Sequence, residues 1–162
     1  MTDNKLAPRL DAIDKRILQE LQKNARISNV ELSKRVNLSP TPCLERVKRL
    51  EKSGMILGYH ANICPVKTKK SLLVFIEVTL ERTTNEVFKE FAETVKDYSE
   101  ILECHLIAGG FDYLLKLRFK DIQQYRHFLG DGLAKLPKVS LTHTYIVSEE
   151  VKDTNYNDLS NI

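Results

Sequence analysis

The stretch ISNVELSKRVNLSPTPCLERVKRLEK, residues 27–52, decides the fold of the first third of the chain. Within it, Ser28 and Glu31 form the pattern of a capping box, in which each side chain accepts a hydrogen bond from a free amide at a helix start. Asn37 tolerates a left-handed backbone, and Ser39, followed by a proline, is typical of the start of another helix. Because the turn between the two helices is short, the stretch predicts a helix-turn-helix.

A further helix is predicted before this pair, over 11–24, because apolar side chains recur there at helical spacing. Gly54 suits the left-handed cap that ends the last of the three helices. That last helix has one apolar face, which is predicted to pack and carries Cys43, Leu44, Val47 and Leu50. Its other face carries short polar groups and cations.

Positive charge is concentrated in this part of the chain. Residues 1–60 carry 12 Lys and Arg against 7 Asp and Glu, a net charge of +5, whereas residues 61–162 carry 13 against 15, a net charge of −2. Such asymmetry indicates a polyanionic partner, so we predict that the polar face of the last helix contacts double-stranded DNA. A solvated helix face is the alternative that the charges alone leave open. The predicted DNA contacts are Asn29, Ser39, Thr41, Pro42, Glu45, Arg46, Lys48, Arg49 and Lys52.

The composition is that of a soluble globular protein, with 42% apolar and 29% charged residues. The longest apolar run, 72–76, is far shorter than the roughly 20 residues of a membrane helix, and the first 15 residues carry charges where a signal peptide is apolar. The three cysteines, Cys43, Cys64 and Cys104, form neither a CxxC pair nor a disulfide framework. We therefore expect a protein of the reducing cytoplasm.

The hydrophobic period changes from helical to alternating after residue 70. The predicted elements are a strand over 72–80, a helix capped by Thr83 and Glu86, strands over 101–108 and 111–119 around Gly109 and Gly110, a helix capped by Asp121, and a strand over 139–147. The order β-α-β-β-α-β is the split βαβ, or ferredoxin-like, arrangement.

The predicted fold class is therefore α+β, in four segments. Residues 1–62 form a winged helix-turn-helix domain, in which 55–63 are extended, turn at Gly58 and supply a small wing or the strand that leads out of the domain. Residues 63–70, with a proline and three lysines, form a linker. The ferredoxin-like domain spans 71–150, and 151–162 form a polar tail.

One face of the predicted sheet carries no helices. Apolar patches on such a face usually mark an interface, and a mixture of acids and bases suits a two-fold homodimer. The alternative is that C-terminal residues fold back over this face. The residues predicted on it are Leu73, Phe75, Ile101, Ile107 and Leu114 beside Glu77, Glu103, His105, Lys116 and Arg118.

No enzyme chemistry is predicted. Cys104 lies beside His105, but adjacent strand residues point to opposite faces, and neither a zinc site nor a cysteine nucleophile is complete there. Cys104 and Cys43 are expected to pack as small hydrophobic side chains. The sequence also lacks a phosphate-binding glycine loop at usable spacing. We therefore predict no catalytic residue, no metal and no cofactor other than a small effector.

Two parts of the chain resemble the Lrp/AsnC family of bacterial transcriptional regulators. Residues 27–47 resemble the family's DNA-binding region, and 103–106 with 110–116 resemble its effector-binding domain, so the resemblance covers about 10–152. Asn37 stands where the family often has glycine, and Ala108-Gly109-Gly110 lacks an acidic residue often found before the Phe-Asp-Tyr sequence.

The resemblance implies an amino-acid effector at an interface between dimers. The amides of Gly109 and Gly110 suit its carboxylate and Asp112 suits its ammonium group, although plain turn glycines are the alternative. The implied effector contacts are Leu106, Ala108, Gly109, Gly110, Asp112, Tyr145, Ile146 and Val147. Their apolar members favour leucine or another small aliphatic amino acid.

The function expected from these features is that of an amino-acid-responsive activator or repressor of amino-acid metabolism genes, active in the cytoplasm at the nucleoid. Dimers are expected to assemble further, to an octamer. An effector-independent protein that wraps DNA, and a family member specific for another amino acid, are the alternatives. An amino-acid sensor attached to an enzyme is disfavoured because about 60 residues of helix-turn-helix leave no room for a catalytic domain.

Overall fold

The computed structural model describes residues 10–159, which form two compact units. The first unit consists of residues 10–61 together with 152–159, and the second consists of residues 62–151. Residues 152–159, which lie within the segment predicted as a polar tail, therefore belong to the helical unit, although they follow the second unit in the sequence.

The first unit contains three helices: α1, Ala12–Lys23; α2, Asn29–Arg35; and α3, Pro40–Lys52. Asp11 and Asp14 form a complete capping box at the start of α1. The Ser28 hydroxyl accepts a hydrogen bond from the amide of Glu31, over 3.2 Å, at the start of α2. Asn37 has φ 58°, the left-handed conformation expected between α2 and α3. These local signals confirm the predicted helix-turn-helix.

The three helices enclose a core that Leu44 does not join. The buried apolar side chains are Ile17, Leu18, Leu32, Val36, Cys43 and Leu50, with Leu159 from the tail packed against them. The prediction for Leu44 is wrong: it is 41% exposed, since a helical step turns it about 100° from Cys43. After α3, Met55 and Ile56 pack on this core, Leu57 is exposed, and 53–71 contain turns but no strand.

The second unit contains β1, Leu72–Leu80; α4, Asn85–Val95; β2, Ile101–Leu106; β3, Tyr113–Phe119; α5, Ile122–Asp131; a short 3-10 helix, Leu133–Lys135; and β4, Val139–Ile146. All pairs are antiparallel, and the order β2-β3-β1-β4 confirms the ferredoxin-like prediction. Thr84 rather than Thr83 caps α4, because its hydroxyl accepts from the amide of Val87. Asp121 caps α5 as predicted.

The core of the second unit lies between the sheet and its two helices. Its largest fully buried side chains include Phe91 of α4 and Phe119 of β3. The predicted hairpin has shorter strands and a longer loop than the sequence indicates, since β2 ends at Leu106 and β3 begins at Tyr113. Loop 107–112 therefore projects from one end of the sheet, beyond its paired strands.

Candidate DNA interface and effector site

The outward face of α3 presents most of the predicted DNA contacts. Pro42 is half-buried, and Arg46, with a side chain 26% exposed, lies at the edge of the face. The exposed members are Thr41, Glu45, Lys48, Arg49 and Lys52. The helix thus presents short side chains in its first turn and cations further along, as DNA recognition requires.

Two of these cations also hold α3 against α1. Asp14 is only 2% exposed, and its carboxylate accepts from Arg46 Nη1 at 2.8 Å and from Arg49 Nη2 at 2.6 Å. Arg46 also donates to Asp11 at 2.6 Å, and hydrogen bonds to Asp11 and Asp14 raise the pKa of Arg46. Arg46 and Arg49 are therefore ion-paired within the unit, which the sequence prediction missed. The sequence signal that could have indicated these ion pairs was Asp14, an acidic residue beside the apolar stripe of α1.

The two predicted contacts outside the exposed face differ from each other. Asn29 donates from Nδ2 to the carbonyl oxygen of Pro40, at 2.8 Å, so it connects the starts of α2 and α3. Ser39 occupies the position before α3, where its hydroxyl makes no capping hydrogen bond. Asn29 is thus a positioning residue of the motif, whereas the exposed Ser39 hydroxyl is available to a phosphate.

The helix-free face of the sheet carries most of the predicted mixture of polar and apolar side chains. Glu103 accepts from Lys116 at 2.9 Å and bonds His105 at 3.0 Å, and these two neighbours lower the pKa of Glu103. Phe75 and Leu114 remain half-buried between such polar groups.

One end of that face is covered by the chain that follows β4. The amide of Val147 donates to the carbonyl of Leu73, which continues the β1–β4 ladder, and Glu150 then accepts from Arg118 of the helix-free face at 2.5 Å; Leu73, at this end of the face, is only 5% exposed. The fold-back alternative therefore holds at this end. The prediction for Ile101 is wrong, because a register shift between Ile101 and Glu103 turns it toward the core.

Loop 107–112 is tied to β1 through Asp112. The amide of Asp112 donates to the carbonyl of Val78 at 3.0 Å, and its Oδ2 accepts from the amide of Leu80 at 2.7 Å. In residues 10–159, no hydrogen bond is present at the amides of Gly109 and Gly110, which are exposed. The loop thus offers two free amides beside a carboxylate with one oxygen already engaged.

The predicted effector contacts fall into two groups in one chain. Leu106 belongs to β2, at one edge of the sheet, and the loop runs from β2 to β3 with Asp112 bonded to β1, whereas Tyr145 and Ile146 belong to β4, at the opposite edge. Three strand spacings separate these edges, roughly 14 Å. Tyr145 pairs with Phe75, and a hydrogen bond to Glu77 raises the pKa of its hydroxyl. A single copy of the chain does not bring the two groups together.

The described part of the chain also bears on the predictions for metal ligands, cysteines and membrane helices. It contains no group of three or more His, Cys, Asp or Glu placed to hold a metal ion. Burial raises the pKa of the Cys43 and Cys104 thiols, and both pack against apolar cores as expected. Across residues 10–159, none of the helices is long and apolar enough to cross a membrane.

Comparisons with known proteins cover both units. Residues 10–56 match the family described as winged helix-turn-helix DNA-binding, and 73–156 match the Lrp/AsnC ligand binding domain. The leucine-responsive regulatory proteins of Klebsiella pneumoniae and Escherichia coli (strain K12) are each 57% identical over 157 residues, covering 96% of this chain and 96% of their own.

Two solved structures are similar over nearly the whole chain. A transcriptional regulator from Neisseria meningitidis, in complex with L-Met, has a TM-score of 0.89 and 39% identity, covering 94% of this chain and 98% of that one. An AsnC family transcriptional regulator from Agrobacterium tumefaciens has a TM-score of 0.88 and 31% identity, covering 93% and 97%.

Proposed function

Because the chain belongs to the Lrp/AsnC family of transcriptional regulators, we propose that α3 reads operator DNA and that a small aliphatic amino acid, bound to the second unit, changes that binding. The chain has a helix-turn-helix DNA-binding domain and an amino-acid-binding domain, and it is a transcription regulator rather than an enzyme. We infer that it acts in the cytoplasm, at the nucleoid, on amino-acid metabolism genes.

The observation that carries the DNA proposal is the exposed first half of α3. In the described part of the chain, Thr41 and Glu45 make no side-chain hydrogen bond or ion pair, so they are available to base edges. Glu45 suits cytosine N4, and the methyl group of Thr41 suits a thymine methyl. Lys48 and Lys52 lie further along the same face and suit phosphates, which set register without reading sequence.

The DNA proposal is tested with duplexes that the parent protein selects from a random pool. Glu45→Ala removes the acceptor and is expected to lower the ratio of operator to random-DNA affinity, by about 1 to 3 kcal/mol if Glu45 reads a base. Lys48→Gln is expected to weaken both affinities equally and to reduce the salt slope by about one. Lys89→Gln, which changes an exposed lysine of α4, is the control. Equal ratios in the parent and Glu45→Ala would remove Glu45 from the base contacts.

The effector proposal combines the loop with the names of two relatives. The enterobacterial relatives are called leucine-responsive, and the Neisseria relative was solved with L-Met. We propose that leucine is the preferred effector, and that methionine also binds, since an apolar pocket discriminates one methylene by only about 1 to 3 kcal/mol. The Gly109 and Gly110 amides would hold the carboxylate, and the free oxygen of Asp112 would hold the ammonium group.

Asp112→Asn tests this assignment in calorimetric titrations with leucine. The asparagine keeps a carbonyl oxygen for the amide of Leu80 but loses the charge, so leucine affinity is expected to fall about tenfold or more while folding is retained. Asp97→Asn, at an exposed site, is the control. Equal leucine affinities in all three proteins would exclude Asp112 from the site.

We also propose that the working protein is a homodimer that assembles further, to an octamer. The separation between Leu106, on the β2 edge, and Tyr145, on the β4 edge, supports this, because a second copy is needed to complete a site that uses both. Phe75 lies in the middle of the helix-free face, so Phe75→Glu is expected to lower the mass in sedimentation, since burying a charge costs several kcal/mol. A folded variant that sediments like the parent would show that this face is not the contact.

A further inference from the structure

A second positive surface lies in the second unit, away from the loop 107–112. Three lysines, Lys69 and Lys70 before β1 and Lys120 before α5, line one open cleft of about 650 Å³. The remaining lining residues are Thr68, Asp121, Gln123, Gln124 and His127. In residues 10–159, the only ion pair of these lysines is Lys120 with Asp121, at the limiting distance of 4.0 Å.

The turn that carries two of the lysines is held by its own hydrogen bonds. The amide of Lys70 donates to the carbonyl of Pro65 at 2.8 Å, and the amide of Lys69 donates to Val66 at 3.1 Å. Lys69 has φ 57°, a left-handed conformation that a side chain other than glycine adopts at an energetic cost. The two lysines are therefore presented by a shaped turn rather than by an extended linker.

The lining also supplies neutral donors and little negative charge. Oδ1 of Asp121 already accepts from the amide of Gln124, at 2.9 Å. Gln124 accepts from the amide of Lys120 through Oε1, at 2.7 Å, which leaves its NH2 group as a donor. Three lysines thus face a single engaged carboxylate, and the cleft suits an anion.

The same lining differs from that of most small-molecule sites. Such sites are mostly lined by apolar and aromatic residues, whereas this cleft is lined by lysines, amides, a hydroxyl, a carboxylate and an imidazole, and its apolar surface comes from the carbon atoms of these polar side chains. Charge and hydrogen bonding therefore dominate the recognition of its ligand. Lysine, glutamine and threonine are side chains that contact the phosphate oxygens of a nucleic-acid backbone.

We infer that Lys69, Lys70 and Lys120 form a second, sequence-independent contact with the phosphate backbone of the DNA that α3 reads. Lys69 follows Ala61, the last residue of the first unit before the linker, by eight residues, at most about 29 Å of extended chain. That reach is less than one turn of B-DNA, about 34 Å. The inference rests on the proposed function, because it adds a contact to the same bound duplex.

The test compares salt dependence of DNA binding in charge-matched variants of the full chain. Lys69→Gln, Lys70→Gln and Lys120→Gln together are expected to reduce the salt slope by up to about 2.7, since each phosphate contact contributes about 0.9. Between 50 and 200 mM salt, the parent-to-variant affinity ratio would then change about 40-fold. The control changes Lys89, Lys96 and Lys135, exposed lysines elsewhere in the second unit, to glutamine.

Two further arms separate the outcomes. The operator-to-random affinity ratio is expected to stay constant in the cleft variant, and arginine at the three positions is expected to restore the slope. Equal salt slopes in the cleft and control variants overturn the inference. A loss of affinity for the operator without a loss of affinity for random DNA also overturns it. Equal slopes together with saturable amide shifts on titration with inorganic pyrophosphate assign the cleft to a small anion instead. If the parent protein binds operator and random DNA equally well, the proposed function is refuted. The salt slopes of the cleft and control variants on random DNA still decide the present inference.

Discussion

Replacing Asp14 by asparagine should loosen the attachment of α3 to α1. The carboxylate is 2% exposed and accepts from both Arg46 and Arg49 at 2.6 to 2.8 Å. Hydrogen bonds to charged groups contribute about 1.5 to 3 kcal/mol each, but Arg49 is 58% exposed and regains water when its partner is lost. We therefore expect a net cost of about 2 kcal/mol to the first unit.

Hydrogen exchange of the full chain measures this cost directly. A loss of 2 kcal/mol corresponds to about 30-fold faster exchange of the most protected amides of α1 and α3, whereas amides of the sheet serve as an internal reference. Glu45→Gln removes the same charge from an exposed position of α3 and should change protection little. If protection in α3 changes less than twofold in Asp14→Asn, the ion pairs do not hold the helix.

Three further outcomes are expected. The pKa of Asp11 is held below its ordinary value, first by the hydrogen bond from the backbone amide of Asp14 and then by the hydrogen bond from Arg46, so the stability that the Asp11 carboxylate contributes is lost as the pH falls through its folded pKa. Asp11→Asn should therefore make the stability of the first unit depend less on pH below about pH 4. An unchanged acid-unfolding profile would contradict this. Asn37→Ala should lower the free energy of unfolding by about 1 kcal/mol, because alanine adopts the left-handed conformation of this turn less readily, whereas Asn37→Gly should change it little. Equal melting temperatures of the two variants would refute this reasoning. Gln22→Ala removes the oxygen that accepts from the amide of Asn157, so hydrogen exchange at this amide should become faster; an unchanged exchange rate would contradict the contact.

Features set by neighbours in sequence were predictable. Asp11, Ser28 and Asp121 cap helices within three residues of themselves, and Asn37 adopts its left-handed turn locally. The alternation of 72–80 likewise identified the buried face of β1. Because the number and order of such elements leave few topologies, the ferredoxin-like order followed from them.

Features set by distant partners were not predictable. Asp14 meets Arg49 across 35 positions, and Asp112 meets Leu80 across 32, so these contacts depend on how elements pack. The register shift at Ile101 reverses a side chain that strict alternation places on the other face.

The tail has a consequence for building chimeric regulators. Gln22 bonds both the amide and the carbonyl of Asn157, at 2.7 and 3.0 Å, and Leu159 packs on the helical core. A single crossover near residue 62 would therefore pair the helix-turn-helix of one parent with the tail of the other. Exchange of the DNA-reading module between relatives calls for two crossovers, near 61 and 152, so that module and tail travel together.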